Sequence, residues 1–213
     1  MVRGNAKDGK KQAPTPRAPS LLRAAQKELA RQKLVDAARS AFEANGYVNV
    51  TVDDIAQRAG ASRGTFYLYF QSKLDALRAI RDELRIAANE AGLLDDLSAM
   101  KKPTVEALTT WFERYADYYL EYRQLWPAIR QAQAVEPEFS IIVAEAIDLY
   151  AGIWKSTGAV KSDADARLTA TLNYTFVDQF MYLWLVEERE GQDVARNKVT
   201  KTLAEAIYST LPH

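Results

Sequence analysis

The stretch YVNVTVDDIAQRAGASRGTFYLYFQSK, residues 47–73, decides the fold. Thr51 suits a helix N-cap, because its hydroxyl can accept from the amides near Asp53 and Asp54, and their carboxylates favour the positive helix start. Val52, Ile55, Ala56 and Ala59 then fall on one face of a short helix. Gly60-Ala61 makes a tight turn, and Ser62 caps a second short helix immediately. Two short helices joined by a glycine turn are a helix-turn-helix.

The second helix departs from ordinary amphipathicity. Phe66 and Phe70, at i and i+4, can anchor it to Ile55 and Phe42. Tyr67 and Tyr69 point elsewhere, and Arg63, Gly64 and Thr65 stand at its front. Hydroxyls, a guanidinium and a glycine there suit phosphates and base edges of duplex DNA. Lys73 opens the next helix, where amides and ammonium can grip one phosphate. The plainer alternatives are half-buried tyrosines, a solvated Arg63 and a Lys73 on an exposed first turn.

Outward from this stretch, charge divides the chain. Residues 1–85 hold 16 Lys/Arg against 9 Asp/Glu, and the remainder 12 against 19, so a net zero hides +7 and −7. A basic front is expected where only that half meets a polyanion. Residues 1–19 read as a disordered basic arm, either a minor-groove arm or a solvated tail. Within it Gly4, Gly9 and Lys10 approach a phosphate-binding loop, but Lys11 replaces the required Ser/Thr, so the match is chance. Ser20 is the expected N-cap of the first helix, which Asn45-Gly46 ends.

The chain has no cysteine and a single histidine, His213. That removes thiolate and serine–histidine chemistry and nearly every zinc site, so no enzyme, metal or cofactor is expected. No apolar run reaches the ~18–20 residues of a membrane span. The start lacks the apolar core of a secretory signal, and a cytoplasmic location is expected. Helical periods follow from Ser72 to about Gly92, from Thr104 to Tyr122, around Trp126, from Pro137 to Thr157, from Ser162 or Asp163 to Glu188, and from Asp193 to Leu211. The fold class is all-α: a three-helix helix-turn-helix domain over 20–72 and a larger helical ligand-binding and dimerisation domain over 73–213.

The combined run Thr51, Ile55-Ala56, Ala59 to Ser62, Gly64 to Phe70 and Ser72-Lys73 resembles the signature of TetR/AcrR-type regulators, over roughly Leu29 to Ile80. The resemblance implies a nine-helix, Ω-shaped homodimer whose first three helices bind DNA and whose last two form a four-helix bundle. It also implies that Arg63, Thr65, Tyr67, Leu68 and Tyr69 face the groove, and that Thr51 and Lys73 meet phosphates. Leu68 stands where many relatives carry a polar or larger aromatic residue; it can meet a thymine methyl or pack against a sugar.

The rear half is rich in Trp and Tyr, whose apolar faces and polar tips suit pockets for planar molecules, although such stripes are core more often than ligand box. Trp111, Tyr115, Tyr118, Trp126 and Trp154 are the expected pocket residues. The helix after Asp163 is apolar around most of its girth near Phe176–Val186 and needs cover on several sides. Phe180 and Trp184, with Leu203 and Ile207 of the last helix, are the expected dimer contacts. Asp178 interrupts the apolar run and can pair across the dimer, bind ligand or reach water.

The expected function is a DNA-binding repressor on a palindromic operator, released by an apolar, ring-containing small molecule. The alternatives are an architectural or partner-regulated DNA-binding protein without a small ligand, and an enzyme on a helical scaffold. A cavity of several hundred Å³ separates the first two; a cluster of perturbed acids in a cleft marks the third.

Overall fold

The computed structural model describes residues 18–189 and 191–211. Among them lie ten helices and no strand. The order is α1 Ala18–Asn49, α2 Val52–Arg58, α3 Arg63–Tyr67, α4 Lys73–Glu90, α5 Leu93–Ala99, α6 Val105–Glu121, α7 Trp126–Val135, α8 Phe139–Ser156, α9 Asp163–Leu185 and α10 Arg196–Ser209. The protein is thus all-α, with an N-terminal helix-turn-helix and a larger helical body. Most of the basic arm and its near phosphate loop lie outside the described residues, as does His213.

Local chemistry accounts for half of the helix starts. Thr51, Ser62, Ser72, Thr104 and Ser162 each cap through a side-chain oxygen that accepts an amide of the first turn. Three expectations shift. The first helix already runs from Ala18, so Ser20 lies inside it and is not its cap. The last helix starts at Arg196, not Asp193. The implied nine helices become ten because α5 was unforeseen: its N-cap is Gly92 in the left-handed region, with no capping side chain to betray it.

Gly46 breaks α1 with φ 73° and ψ 164°. A Cβ there would also stand 2.6 Å from the end of the flexible Gln131 side chain, which would have to move, but it is the backbone that requires glycine. The bend brings Tyr47 into the core and aims the chain at α2.

Two hydrophobic clusters hold the molecule. The first joins α1 to α4 with α7 and the start of α8, around Phe42, Phe66, Leu77 and Ile80. The second joins α5, α6, α9, α10 and the rest of α8, around Trp111, Phe112, Trp154 and Leu203. Tyr122, Trp126 and Val143 pack against both. Packing is therefore continuous across Ser72 and Lys73, and α4 belongs to the first cluster along most of its length. No described helix is long and apolar enough to cross a membrane.

Candidate functional site: a recognition helix and an internal cavity

The helix-turn-helix is built as its sequence dictates. Ile55 and Ala56 of α2 and Phe66 of α3 are buried, and the Phe66 and Phe70 rings sit 5.5 Å apart. Gly60 takes φ 65° in the turn. Thr51 and Asp54 form a reciprocal box: Asp54 N donates to Thr51 Oγ1 at 3.2 Å, and Thr51 N donates to Asp54 Oδ2 at 2.8 Å. The Thr51 hydroxyl donates to the same carboxylate at 2.6 Å, so it is already engaged inside the protein. These bonds hold the exposed Asp54 carboxyl below its usual pKa.

With Phe66 facing inward, the rest of α3 is presented outward. Ser62 Oγ accepts from Thr65 N at 3.0 Å and lies 2.9 Å from Thr65 Oγ1. Arg63 Nη1 donates to Asp53 Oδ2 at 2.8 Å, and its guanidinium lies 5.6 Å from the Tyr67 ring centroid. Leu68 is 77% exposed, and Tyr67 beside it is exposed too. Tyr69 is different, being half-buried against the first core cluster. Gly64 has room: a Cβ would meet only Ser62 Oγ, at 3.7 Å.

Lys73 is placed otherwise than the phosphate-gripping reading supposes. Its ammonium donates inward to the Tyr47 and Val50 carbonyls at 2.9 and 3.0 Å, and lies 4.3 Å from the Tyr47 ring centroid. Burial lowers its pKa. Two of three N–H groups thus brace α4 against the turn before α2, which leaves one for anything outside.

The expected pocket residues converge. A cavity of about 410 Å³ lies among α4, α6, α7, α8 and α9, with Trp111, Tyr115, Tyr118 and Trp126 on its wall. A second, narrow space of about 50 Å³ shares Trp111 and Tyr115 as wall residues and is also lined by Trp154. Trp111 and Tyr115 stack at 4.9 Å, and Tyr119 stacks on Trp126 at 4.4 Å. Tyr118 donates to the Leu84 carbonyl at 2.9 Å, which ties α6 to α4.

The sequence reading missed the cavity's polar side. Arg78, Arg81, Arg130, Tyr150, Tyr174 and Asp178 also line it. Arg78, Arg81 and Arg85 recur at helical spacing along α4, a basic stripe that was legible. Within the protomer the Asp178 carboxylate pairs with Arg130 at 3.0 Å. Burial pushes this carboxyl up, while Arg130 and Arg81 pull it back.

The expected dimer contacts are largely covered within the protomer. Leu203 and Ile207 are each 2% exposed in the lone protomer, and Trp184 is buried beside them, because α10 packs its apolar stripe onto α6. Phe180 is half-buried within the same cluster. The face of α9 left open carries Leu168, Leu172 and Phe176, at 61%, 52% and 47% exposure. A helix apolar on two sides does not reveal from its periodicity which side turns inward.

Comparison with known proteins agrees with this architecture. Residues 34–80 match the family model of bacterial regulatory proteins of the tetR family. Over 57 residues the chain is 44% identical to the HTH-type transcriptional regulator SrpR of Pseudomonas putida, a match covering 27% of this chain and 27% of SrpR. The chain therefore spans about a quarter of that relative's length. It is 26% identical over 191 residues to the fatty acid metabolism regulator protein of Bacillus subtilis, covering 83% of this chain and 95% of that one. A solved tetR-family transcriptional regulator from Streptomyces coelicolor shares the fold, with TM-score 0.60 at 23% identity over 86% of this chain and 80% of the other. The helix-turn-helix thus matches the tetR family of bacterial regulatory proteins, and the helical body behind it shares the fold of a solved regulator of that family.

Proposed function

We propose that the protein is a homodimeric repressor that binds a palindromic operator and leaves it when a ring-containing small molecule enters the cavity. Ser62, Arg63, Gly64, Thr65, Tyr67 and Leu68 would enter the major groove, with Thr51 and the remaining N–H of Lys73 near phosphates. Tyr69, half-buried, would contribute mainly by holding α3. A second copy would cover Leu168, Leu172 and Phe176, since a stripe of that size on one helix is costly to leave in water.

One observation carries the regulatory part. The cavity is walled by α4 and α7, through Arg78, Leu84, Ile129 and Arg130, and the same two helices pack in the first core cluster with α1 to α3. Two recognition helices must stand about 34–36 Å apart to enter successive major grooves. A ligand that fits better when α4 or α7 has moved favours the wrong separation. A differential affinity of ~3 kcal/mol weakens operator binding roughly 100-fold. A cavity of about 410 Å³ also favours this reading over a partner-regulated protein without a small ligand.

The test is selection of bound duplexes from a random pool, followed by release with a panel of apolar aromatic compounds. A pseudo-palindrome with half-sites one turn apart is expected, and release by a panel member. A pool that never enriches ends the DNA reading; an enriched site that nothing releases ends the ligand reading.

A further inference from the structure

We propose that the molecule recognised in this cavity is an amphipathic anion: a flat apolar body whose carboxylate binds Arg81 and Arg78, with a hydrogen-bond acceptor at its far end meeting Trp154 and Asn173. The inference rests on the sensor reading above and replaces a purely apolar ligand with a charged one.

The argument is an inventory of hydrogen bonds. Among the described residues, four buried side-chain atoms lack a partner: Arg78 Nε, Arg81 Nη1, Trp154 Nε1 and Asn173 Nδ2. All four residues line the cavity or the narrow space that shares its wall, and all four atoms are donors. Their neighbours are satisfied: Trp111 Nε1 donates to the Leu93 carbonyl and Trp126 Nε1 to that of Tyr119, both at 2.8 Å. Asn173 Oδ1 accepts from Thr210 Oγ1 at 2.9 Å, so only its amide nitrogen is left. Four buried donors without a partner on the walls are complementary to an acceptor.

Charge points the same way. Each carboxylate on the wall has an arginine: Asp178 has Arg130 at 3.0 Å, Glu145 has Arg78 at 3.4 Å and Asp82 has Arg85 at 4.0 Å. Arg81 has no carboxylate within 4.0 Å among the described residues. It hydrogen-bonds the Tyr174 side chain and lies 5.3 Å from the Phe139 ring centroid. A half-buried guanidinium with no carboxylate in ion-pair contact is costly, and a ligand carboxylate offsets that cost with charge-assisted bonds. The tyrosines add no competing anion, since burial pushes the Tyr150 hydroxyl up to about 12.

Position orders the ligand. Arg78 and Arg81 line the wide cavity, Trp154 and Asn173 the narrow space, and Trp111, Tyr115 and Tyr150 both. The body then lies against the Trp111–Tyr115 stack, between head and tail.

Calorimetric titration of the full chain tests this with three probes: 6-methoxy-2-naphthoate, its primary amide, and 2-naphthoate, which lacks the far acceptor. The acid should bind at least ~10-fold tighter than the amide. 2-Naphthoate should be weaker than the methoxy acid, a difference that Trp154→Phe erases. Arg81→Met should abolish the preference for acid over amide, whatever stability is lost with the Tyr174 hydrogen bond and the Phe139 contact. An amide that binds as well as the acid overturns the head-group assignment, and if it still releases DNA the sensor reading survives. Loss of melting temperature in Arg81→Met with the acid preference intact makes Arg81 structural and also overturns it. If no acid binds and no compound of the wider panel releases DNA, both readings fall together.

Discussion

The Tyr47 hydroxyl donates a 2.6 Å hydrogen bond to Glu136 Oε1, joining the bend before α2 to the end of α7. Beside it, Gln131 of α7 accepts from Val48 N at 3.1 Å. The other flank of α7 carries Ile129, Arg130 and Gln133 on the cavity wall. One short helix therefore walls the cavity with one side and holds the bend that leads into the helix-turn-helix with the other. Burial and the Glu136 carboxylate push the Tyr47 pKa far up, so it remains a donor at any working pH.

Tyr47→Phe removes this bond while keeping the ring under Lys73. We expect a stability loss of about 1 kcal/mol, near-normal operator affinity without ligand, and a smaller loss of affinity when ligand is added. Fluorescence anisotropy with and without ligand checks it. An unchanged ligand response in Tyr47→Phe means that coupling runs through α4 alone.

Gly64→Ala separates folding from recognition. Gly64 is helical, and its Cβ would find only Ser62 Oγ at 3.7 Å, so the protein itself does not need glycine there. Alanine should stabilise by up to ~1 kcal/mol while weakening operator binding, because only a closely approaching groove would notice the methyl. If melting temperature and DNA affinity rise together, α3 does not approach DNA at this position.

The sequence displayed the helix-turn-helix almost completely, because its signals are local: caps at Thr51 and Ser62, a turn at Gly60, and anchors at Phe66 and Phe70. The aromatic wall was legible as a set of residues, since Trp111, Tyr115 and Tyr118 share one helix. What stayed hidden depends on how helices face each other. Arg81 and Asp178 are 97 positions apart in number and line one cavity only because α4 and α9 flank it. The inward turn of the Leu203–Ile207 stripe, likewise, is decided by α6, which its own periodicity does not describe.

Lys73→Met measures how a lysine divides its work. The Tyr47 and Val50 carbonyls would lose their donor, so the melting temperature should fall by several degrees, as for ~1–3 kcal/mol in a chain of this size. A full phosphate contact would also flatten the slope of log K against log salt by about 0.9. With two N–H groups turned inward, we expect a smaller change than that. A full slope loss at unchanged stability would mean that the ammonium turns outward on DNA.

The dimer surface is tested by two arginines placed on different faces of the last two helices. Leu172 stands in the open stripe of α9, so Leu172→Arg adds a charge to water in the free protomer and should leave its fold intact. Across a twofold interface the same residue meets its symmetry mate or a neighbour, and two buried guanidinium groups without partners would be strongly unfavourable. Sedimentation should therefore show a folded monomer with normal helical content and weakened operator binding, because one half-site alone remains. Leu203 is already covered by α6, so Leu203→Arg should bury an unpaired charge inside the protomer and cost several kcal/mol. Its expected signature is unfolding or aggregation, not a clean monomer. A Leu172→Arg protein that stays dimeric, or a Leu203→Arg protein that is a stable monomer, would return the interface to the α10 stripe and place Leu168, Leu172 and Phe176 outside it.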